Sequence, residues 1–168
     1  IGSTGSATVE DSGFTGFESF TNSGGITYDR TSFVSCGKFF HNGAPLRDCI
    51  IRQPDVVANE AFIISSDPSN ITDSSFVAGT DGHAIEITQP GTYSFIGNIF
   101  REYDLTVGSN LVPNSGASNA AILNSSGGLV VLNISGGGEA PSVRNTAGST
   151  TEVNANVTVN ITGLPNTT

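Results

Sequence analysis

The feature that most constrains this chain is a recurrence of about 22 residues. Short alternating runs follow turn-like spacers at Ile26 ("ITYDRTSFV"), Cys49 ("CIIRQP"), Ile71 ("ITDSSFV"), Tyr93 ("YSFIGNIF"), Leu129 ("LVVLNISG") and Thr151 ("TEVNANVTV"). The steps between these starts are 23, 22, 22, 36 and 22 residues. The long step exceeds the others by one insertion, "EYDLTVGSNLVPNSGAS", which is rich in turn formers and has no counterpart elsewhere.

A second run precedes most of these starts: "AFII" at Ala61, "HAIEI" at His83, "NAAIL" at Asn119 and "PSVRN" at Pro141. Polar spacers, "SSDPSN", "TQPGT", "NSSGG" and "TAGST", lie between the two runs. One period therefore holds two or more short strands with their turns. It is too short for a strand, a helix of ordinary length and the loops joining them.

A fixed period built of short strands is the pattern of a parallel β-helix, an all-β solenoid. Each period is one coil, and equivalent strands stack about 4.8 Å apart into parallel sheets. Side chains alternate inward and outward. Ile85, Ile122 and Val143 are expected to stack on one inner face, and Tyr93, Phe95, Val130, Leu132 and Val153 on another. Asn98, Asn124, Asn133 and Asn145 are expected at corners, where stacked amides can form ladders. A leucine-rich repeat would need leucine at fixed offsets, which is missing. An antiparallel β-sandwich also gives short, evenly spaced strands, but the repeated strand–spacer–strand phrase and the single insertion favour the solenoid.

The expected organisation is a cap over residues 1–25, a solenoid over 26–163 with an inserted surface loop near 103–118, and an exit at 164–168 toward a further domain. The cap is read from "SGFTGFESFTNSGG", where Phe14, Phe17 and Phe20 recur every third residue and do not follow the strand phrase. The abrupt start and the strand-like "VNITGLPNTT" suggest a piece of a longer polypeptide. "VNANVTVNITGL" either closes the last coil or leaves to pair with a neighbour.

Composition agrees with closely spaced strands and tight turns: 12% charged residues, 21 Gly, no Met and no Trp. Fifteen acidic and six basic residues give a net charge of −9, and Lys38 is the only lysine. Such a surface repels phosphate backbones, so nucleic acid is not an expected partner. No apolar run approaches membrane-spanning length, so no membrane association is expected.

Candidate chemistry is sparse. His41 and His83 have no His or Cys at metal-ligand spacing. His83 lies near Asp81 and Glu86, but strand alternation turns Glu86 away from the other two. Polysaccharide hydrolysis uses two carboxylates about 5 to 9.5 Å apart. Acidic residues one period apart offer two such pairs, Asp81 with Asp104, and Asp48 with Asp73. Cys36 and Cys49 lack metal-ligand spacing and sit beside apolar strand residues, as buried free thiols do; a disulfide between them would imply an oxidising compartment. Asn70, Asn124, Asn133, Asn156, Asn160 and Asn166 head glycosylation sequons. "SGGGEAPS" lacks the lysine of a phosphate loop and sits at a corner. The sequence assigns no catalytic, cofactor-binding or metal-binding residue, and no cofactor is expected.

The phrases "DGHAIEITQPGTYSFIGNIF" and "NAAILNSSGGLVVLNISGGGEAPSVRNTAGSTTEVNANVTVNITGL" resemble those of bacteriophage structural proteins that carry right-handed parallel β-helices. The resemblance spans about residues 71 to 163 and rests on phrasing, with no catalytic signature. It implies a non-enzymatic element of a virion, outside the cell: a tail fibre, tail spike or capsid-decorating part, with host-surface attachment as an associated role. The expected partners are copies of the chain, preferably as a homotrimer, other virion proteins, and host surface polysaccharide. The alternative is a carbohydrate-binding or carbohydrate-cleaving β-helix of a tail spike or cell surface.

Overall fold

A computed structural model describes residues 6–22, 25–52, 56–57, 60–79, 82–103, 110–111 and 120–155. The chain winds as a parallel β-solenoid of about six turns, roughly 22 residues each. Coil 1 holds β1 (Ala7–Glu10), β2 (Gly13–Thr15) and β3 (Ser19–Thr21). Coil 2 holds β4 (Ile26–Asp29), β5 (Ser32–Val34) and β6 (Lys38–His41). Coil 3 holds β7 (Leu46–Arg47), β8 (Ile50–Arg52) and β9 (Ala61–Ser65), and coil 4 holds β10 (Ile71–Thr72), β11 (Ser75–Val77) and β12 (His83–Ile87). The later strands are β13 (Gly91–Ile96), β14 (Ile99–Arg101), β15 (Asn110–Leu111), β16 (Ile122–Asn124), β17 (Leu129–Ser135), β18 (Val143–Asn145) and β19 (Thr150–Ala155).

Three parallel sheets run along the axis. Sheet A has the order β1-β4-β7-β10-β13-β17-β19, sheet B β14-β11-β8-β5-β2, and sheet C β15-β18-β16-β12-β9-β6-β3. "HAIEI" and "YSFIG" are therefore not a hairpin; they lie in different sheets. Ile85, Ile122 and Val143 occupy one register column, and all three are fully buried. Tyr93, Leu132 and Val153 form another.

Each sheet contributes inward columns to a single core. Sheet B supplies Phe14, Phe33, Ile51, Phe76 and Phe100, with Phe14 stacked on Phe33 at 5.3 Å and Phe76 on Phe100 at 5.1 Å. Sheet C supplies Phe20, Phe39, Ile63, Ile85, Ile122 and Val143. Burying each large side chain contributes about 1.5–3 kcal/mol, and each aromatic pair adds about 0.5–1.5 kcal/mol.

Two expectations require correction. Residues 6–22 are a regular coil, because β1, β2 and β3 pair in register with β4, β5 and β6. Phe14, Phe17 and Phe20 recur every third residue because the chain bends around a corner: Gly16 takes φ +67°, and all three rings join the core. The insertion, in turn, is more than a surface loop. Tyr103, at its start, is a core residue at 6% exposure, and β15 pairs with β18 through Asn110↔Val143 and Leu111↔Arg144. The rest of the insertion, the predicted exit at 164–168 and most of "VNANVTVNITGL" lie outside the described residues. Thr150–Ala155 continues sheet A beside β17.

The corner between sheets A and B has a repeated design. A residue with positive φ is followed by a small polar one: Asp11-Ser12 (φ +49°), Arg30-Thr31 (+48°), Asp48-Cys49 (+51°), Asp73-Ser74 (+52°) and Gly97-Asn98 (+67°). Asp and Gly enter this region at little cost. The second residue then bonds locally: Ser12, Thr31, Cys49 and Ser74 donate to the carbonyl two residues back, at 2.8, 3.1, 3.3 and 2.9 Å. Thr31, Cys49 and Asn98 also reach the preceding coil, donating to the carbonyls of Val9, Tyr28 and Ile71. Asn98 thus joins a mixed polar ladder, accepting from the Ser74 amide at 3.1 Å, where a ladder of asparagines was expected.

Asn124 and Asn145 do stack. The Asn124 Nδ2 group donates to Asn145 Oδ1 at 3.1 Å and to Thr150 O and Thr151 Oγ1 at 2.9 Å, while its Oδ1 accepts from Ser126. Asn133 pairs instead with Asn154, on the exposed surface. Asn124 is fully buried, and Asn124→Ala removes its hydrogen bonds to Asn145, Thr150, Thr151 and Ser126; a loss of about 3 kcal/mol is expected. Urea denaturation of the variant checks it, and an unchanged midpoint would show that the network contributes nothing net.

Sheet B stops at β14. Gly136 and Gly137, both at positive φ, lay the next segment flat over the corner of coil 5. A Cβ on Gly136 would come within 2.8 Å of Ile96 Cγ2. Glu139 then closes the edge: its N–H donates to Asn98 O at 2.9 Å and its Oε2 accepts from the Phe100 amide at 3.0 Å. "SGGGEAPS" is the cap of a sheet.

Candidate functional surface

The residues singled out for chemistry do not converge. His83 is buried; its Nδ1 bonds Ala120 O at 2.6 Å and its Nε2 has no partner. Burial, first, and then Arg144 set against the hydrogen bond to Ala120, hold its pKa down at about 4. Glu86 is engaged elsewhere, accepting from Ser125 Oγ of the next coil. His41 bridges Ser65 Oγ at 2.9 Å and Ala44 O at 2.6 Å, and burial lowers its pKa as well. Both histidines serve as neutral connectors of the fold.

Asp81 and Asp104 lie outside the described residues. Asp48 and Asp73 occupy the same corner position on adjacent coils, joined through the Asp48 amide to Thr72 O at 3.2 Å. The Asp73 carboxylate folds over the next coil, where a Cβ on Gly97 would lie 2.0 Å from its Oδ1. Cys36 and Cys49 are buried, free and at different corners, so no disulfide joins them. Burial raises both thiol pKa values, which disfavours the reactive thiolate. Among the described residues, no three His, Cys, Asp or Glu side chains are grouped so as to hold a metal ion. Of the described sequons, Asn124 is buried and already bonded, Asn133 accepts from Asn154 at the surface, and Asn70 is exposed.

Two surface features stand out that the sequence did not single out. The first is an electrostatic knot at the corner of coils 1 and 2. Arg30 Nε contacts Asp11 Oδ1 at 2.8 Å, Nη1 contacts Asp29 Oδ2 at 2.9 Å and Nη2 contacts Glu10 Oε2 at 3.5 Å. The hydrogen bond from Arg30 and its charge hold the Asp11 carboxyl below its usual range. Its members are largely exposed, so salt screens the knot.

The second is a depression of about 370 Å³ on sheet C, lined by Glu18, Ser19, Gly37, Lys38, Phe40 and Glu60. Lys38 Nζ meets Glu60 Oε1 at 2.9 Å, and the Phe40 ring is 39% exposed. Gly37 makes the depression possible by letting coils 1 and 2 close up, since a Cβ there would sit 1.8 Å from Glu18 O. Neither outward ring nor lone lysine repeats with the period, and the sequence therefore gave no signal for them.

No protein family, curated protein or solved structure matches the chain. The class defined by the geometry is that of a parallel β-solenoid with three sheets, laddered corners and an insertion that supplies a terminal strand. Among the described residues, no helix is long and apolar enough to cross a membrane.

Proposed function

We propose that the chain is a non-enzymatic structural element of a bacteriophage virion, of the tail-fibre, tail-spike or capsid-decorating kind, working outside the cell as a rigid spacer and attachment surface. The observation that carries the reading is the axial stacking, which runs through seven strands in each of sheets A and C. Inward columns run from coil to coil in register, and corner hydrogen bonds tie each turn to its neighbour. A core of this kind resists bending and proteolysis because it offers few independent joints. The setting rests on the resemblance of the repeat phrases to those of phage β-helices, and a homotrimer is the preferred assembly because closed symmetry covers sheet surfaces without open growth.

The purified chain is expected to sediment as an oligomer and to release no reducing ends from bacterial capsular polysaccharide or pectin. A monomer that releases them, and loses that activity on Asp81→Asn or Asp104→Asn, would replace this reading with a glycosidase or lyase.

The depression around Phe40 favours a second reading, carbohydrate binding. An exposed ring can stack on a sugar face while Lys38, Glu18 and Glu60 bond its hydroxyls. Retention on immobilised host polysaccharide that disappears with Phe40→Ala would support it; equal retention of the variant would remove it.

A further inference from the structure

The outward face of sheet B repeats every second coil. Its strands β5, β8, β11 and β14 read "SFV", "IIR", "SFV" and "IFR". The middle residue of each points inward, so the outward pairs run Ser–Val, Ile–Arg, Ser–Val, Ile–Arg along the axis. The core does not impose this alternation. The inward residues of the same strands are Phe33, Ile51, Phe76 and Phe100, and the corner residues before them are Thr31, Cys49, Ser74 and Asn98. Neither series alternates. The pattern belongs to side chains that face solvent, where packing does not decide the residue.

In-register pairing puts Arg52, Val77 and Arg101 in one column. Coils lie about 4.8 Å apart, so the backbones of the two arginines stand about 9.6 Å apart. Both side chains are exposed. Among the described residues neither forms an ion pair, unlike Arg30 and Lys38. Ile99 and the 40% exposed Ile50 stand beside them in the neighbouring column. Among the described residues no acid lies on this face, in a chain of net charge −9. The acids keep to its margins: Asp48 and Asp73 at the corner with sheet A, and Glu102 after Arg101.

Such a strip matches an extended glycan. A pyranose ring advances its chain by about one coil spacing, so an acid on every second sugar comes in step with Arg52 and Arg101. Guanidinium groups fork onto carboxylates through paired, charge-assisted hydrogen bonds. Ile50 and Ile99 offer apolar surface to the C–H faces of the sugars. Asp48 and Asp73 repel carboxylates from the opposite margin and turn them toward the arginines. A second copy of the chain lacks the matching spacing. In sheet A the outward acids Glu10 and Asp29 sit on adjacent coils, and in sheet C Glu86 lies between Ile64 and Leu123. Among the described residues, neither sheet presents acids on alternate coils.

We propose that the outer face of sheet B binds an extended acidic polysaccharide carrying a carboxylate on every second sugar. The proposal rests on the attachment reading above and deepens it by naming the ligand and a face distinct from the Phe40 depression.

The probe is a labelled oligosaccharide of alternating glucuronate and N-acetylglucosamine, titrated with the full chain and followed by fluorescence anisotropy. Saturable binding that weakens with salt is expected. Arg52→Gln and Arg101→Gln should each weaken it about tenfold, while Phe40→Ala should leave it unchanged. A neutral oligomer of N-acetylglucosamine should not bind. The decisive variant combines Arg52→Val with Val77→Arg. It keeps the charge but sets the arginines on adjacent coils, and it should bind as weakly as Arg52→Gln. Undiminished binding by that variant, or equal affinity for single-stranded DNA, would reduce the strip to a general polyanion contact and overturn the proposal. Absence of binding would overturn it too. So would protection of Arg52 and Arg101 from phenylglyoxal within an oligomer of the free chain, which would make the occupant a second copy. The attachment reading is judged separately: retention on host polysaccharide that survives both arginine variants sinks this site and leaves attachment standing.

Discussion

Phe39→Ala is expected to lower the unfolding free energy by about 3–5 kcal/mol, the range for deleting a buried aromatic ring. Phe39 is fully buried, and its ring lies 5.2 Å from Phe20, 5.8 Å from Tyr28, 5.7 Å from Phe33 and 6.2 Å from Phe62. It therefore touches rings from coils 1, 2 and 3, and the cavity left by alanine cannot collapse without shifting several stacked strands. Each coil contacts mainly its neighbours, so the damage should be graded along the axis. Urea denaturation should show an earlier midpoint, and amide exchange should rise in β3, β6 and β9 before it rises in β17 and β18. An unchanged midpoint would mean that the aromatic stack contributes little to stability.

The second large effect is a loss of stability on acidification between pH 6.5 and about 4. His83 is neutral in the folded chain down to a pKa of about 4, whereas in the unfolded chain it titrates near 6.5. Its contribution is complete above pH 6.5. As the pH falls, the unfolded chain binds the proton first and is favoured by about 1.4 kcal/mol per pH unit. Over the whole window the loss approaches about 3 kcal/mol. The structural cause is the site itself: protonation would place an Nε2–H where no acceptor waits, in the field of Arg144. His41 shifts in the same direction and steepens the slope. Below this window the loss of the Asp11 carboxylate adds a smaller, salt-sensitive decrement, since Arg30 holds that carboxyl below its usual range. Urea midpoints at pH 7.5, 6 and 4.5 measure the slope, and His83→Gln should flatten it. An equal slope in the variant would assign the effect elsewhere.

The period and the alternation made the solenoid legible before any coordinates. They placed Ile85, Ile122 and Val143 in one column, as observed, because an inward apolar residue recurs wherever a buried strand does. The first coil escaped because its strands are short and its phenylalanines imitate helical spacing. Its signal lay in the corners: "VEDSGF", "YDRTSF", "LRDCII", "ITDSSF" and "FIGNIF" share one form. An inward residue, an outward one, a left-handed residue, a small polar donor, an outward residue and a second inward one follow in order. The polar ladder varies chemically (Ser, Thr, Cys, Ser, Asn), so an asparagine search could not find it. The strand role of Asn110–Leu111 was hidden for a different reason: its partner follows 33 residues later, at Val143, and no local pattern encodes so distant a pairing. The surface features around Arg30 and Phe40 arise from residues brought together across coils, which periodicity alone does not report.

The position of β15 has a consequence for how the molecule is built. β15 precedes β16 and β18 in the chain, yet it lies beyond both in sheet C. A solenoid could otherwise wind up turn by turn as it is synthesised, each new strand finding its template ready. Here β15 has no neighbour in sheet C to pair with until Val143–Asn145 has arrived and settled between it and β16. The strand Val143–Asn145 is therefore slotted in rather than simply added, and removing it requires breaking two strand partners at once. Synthesis proceeds in one direction, but the final clasp closes backwards.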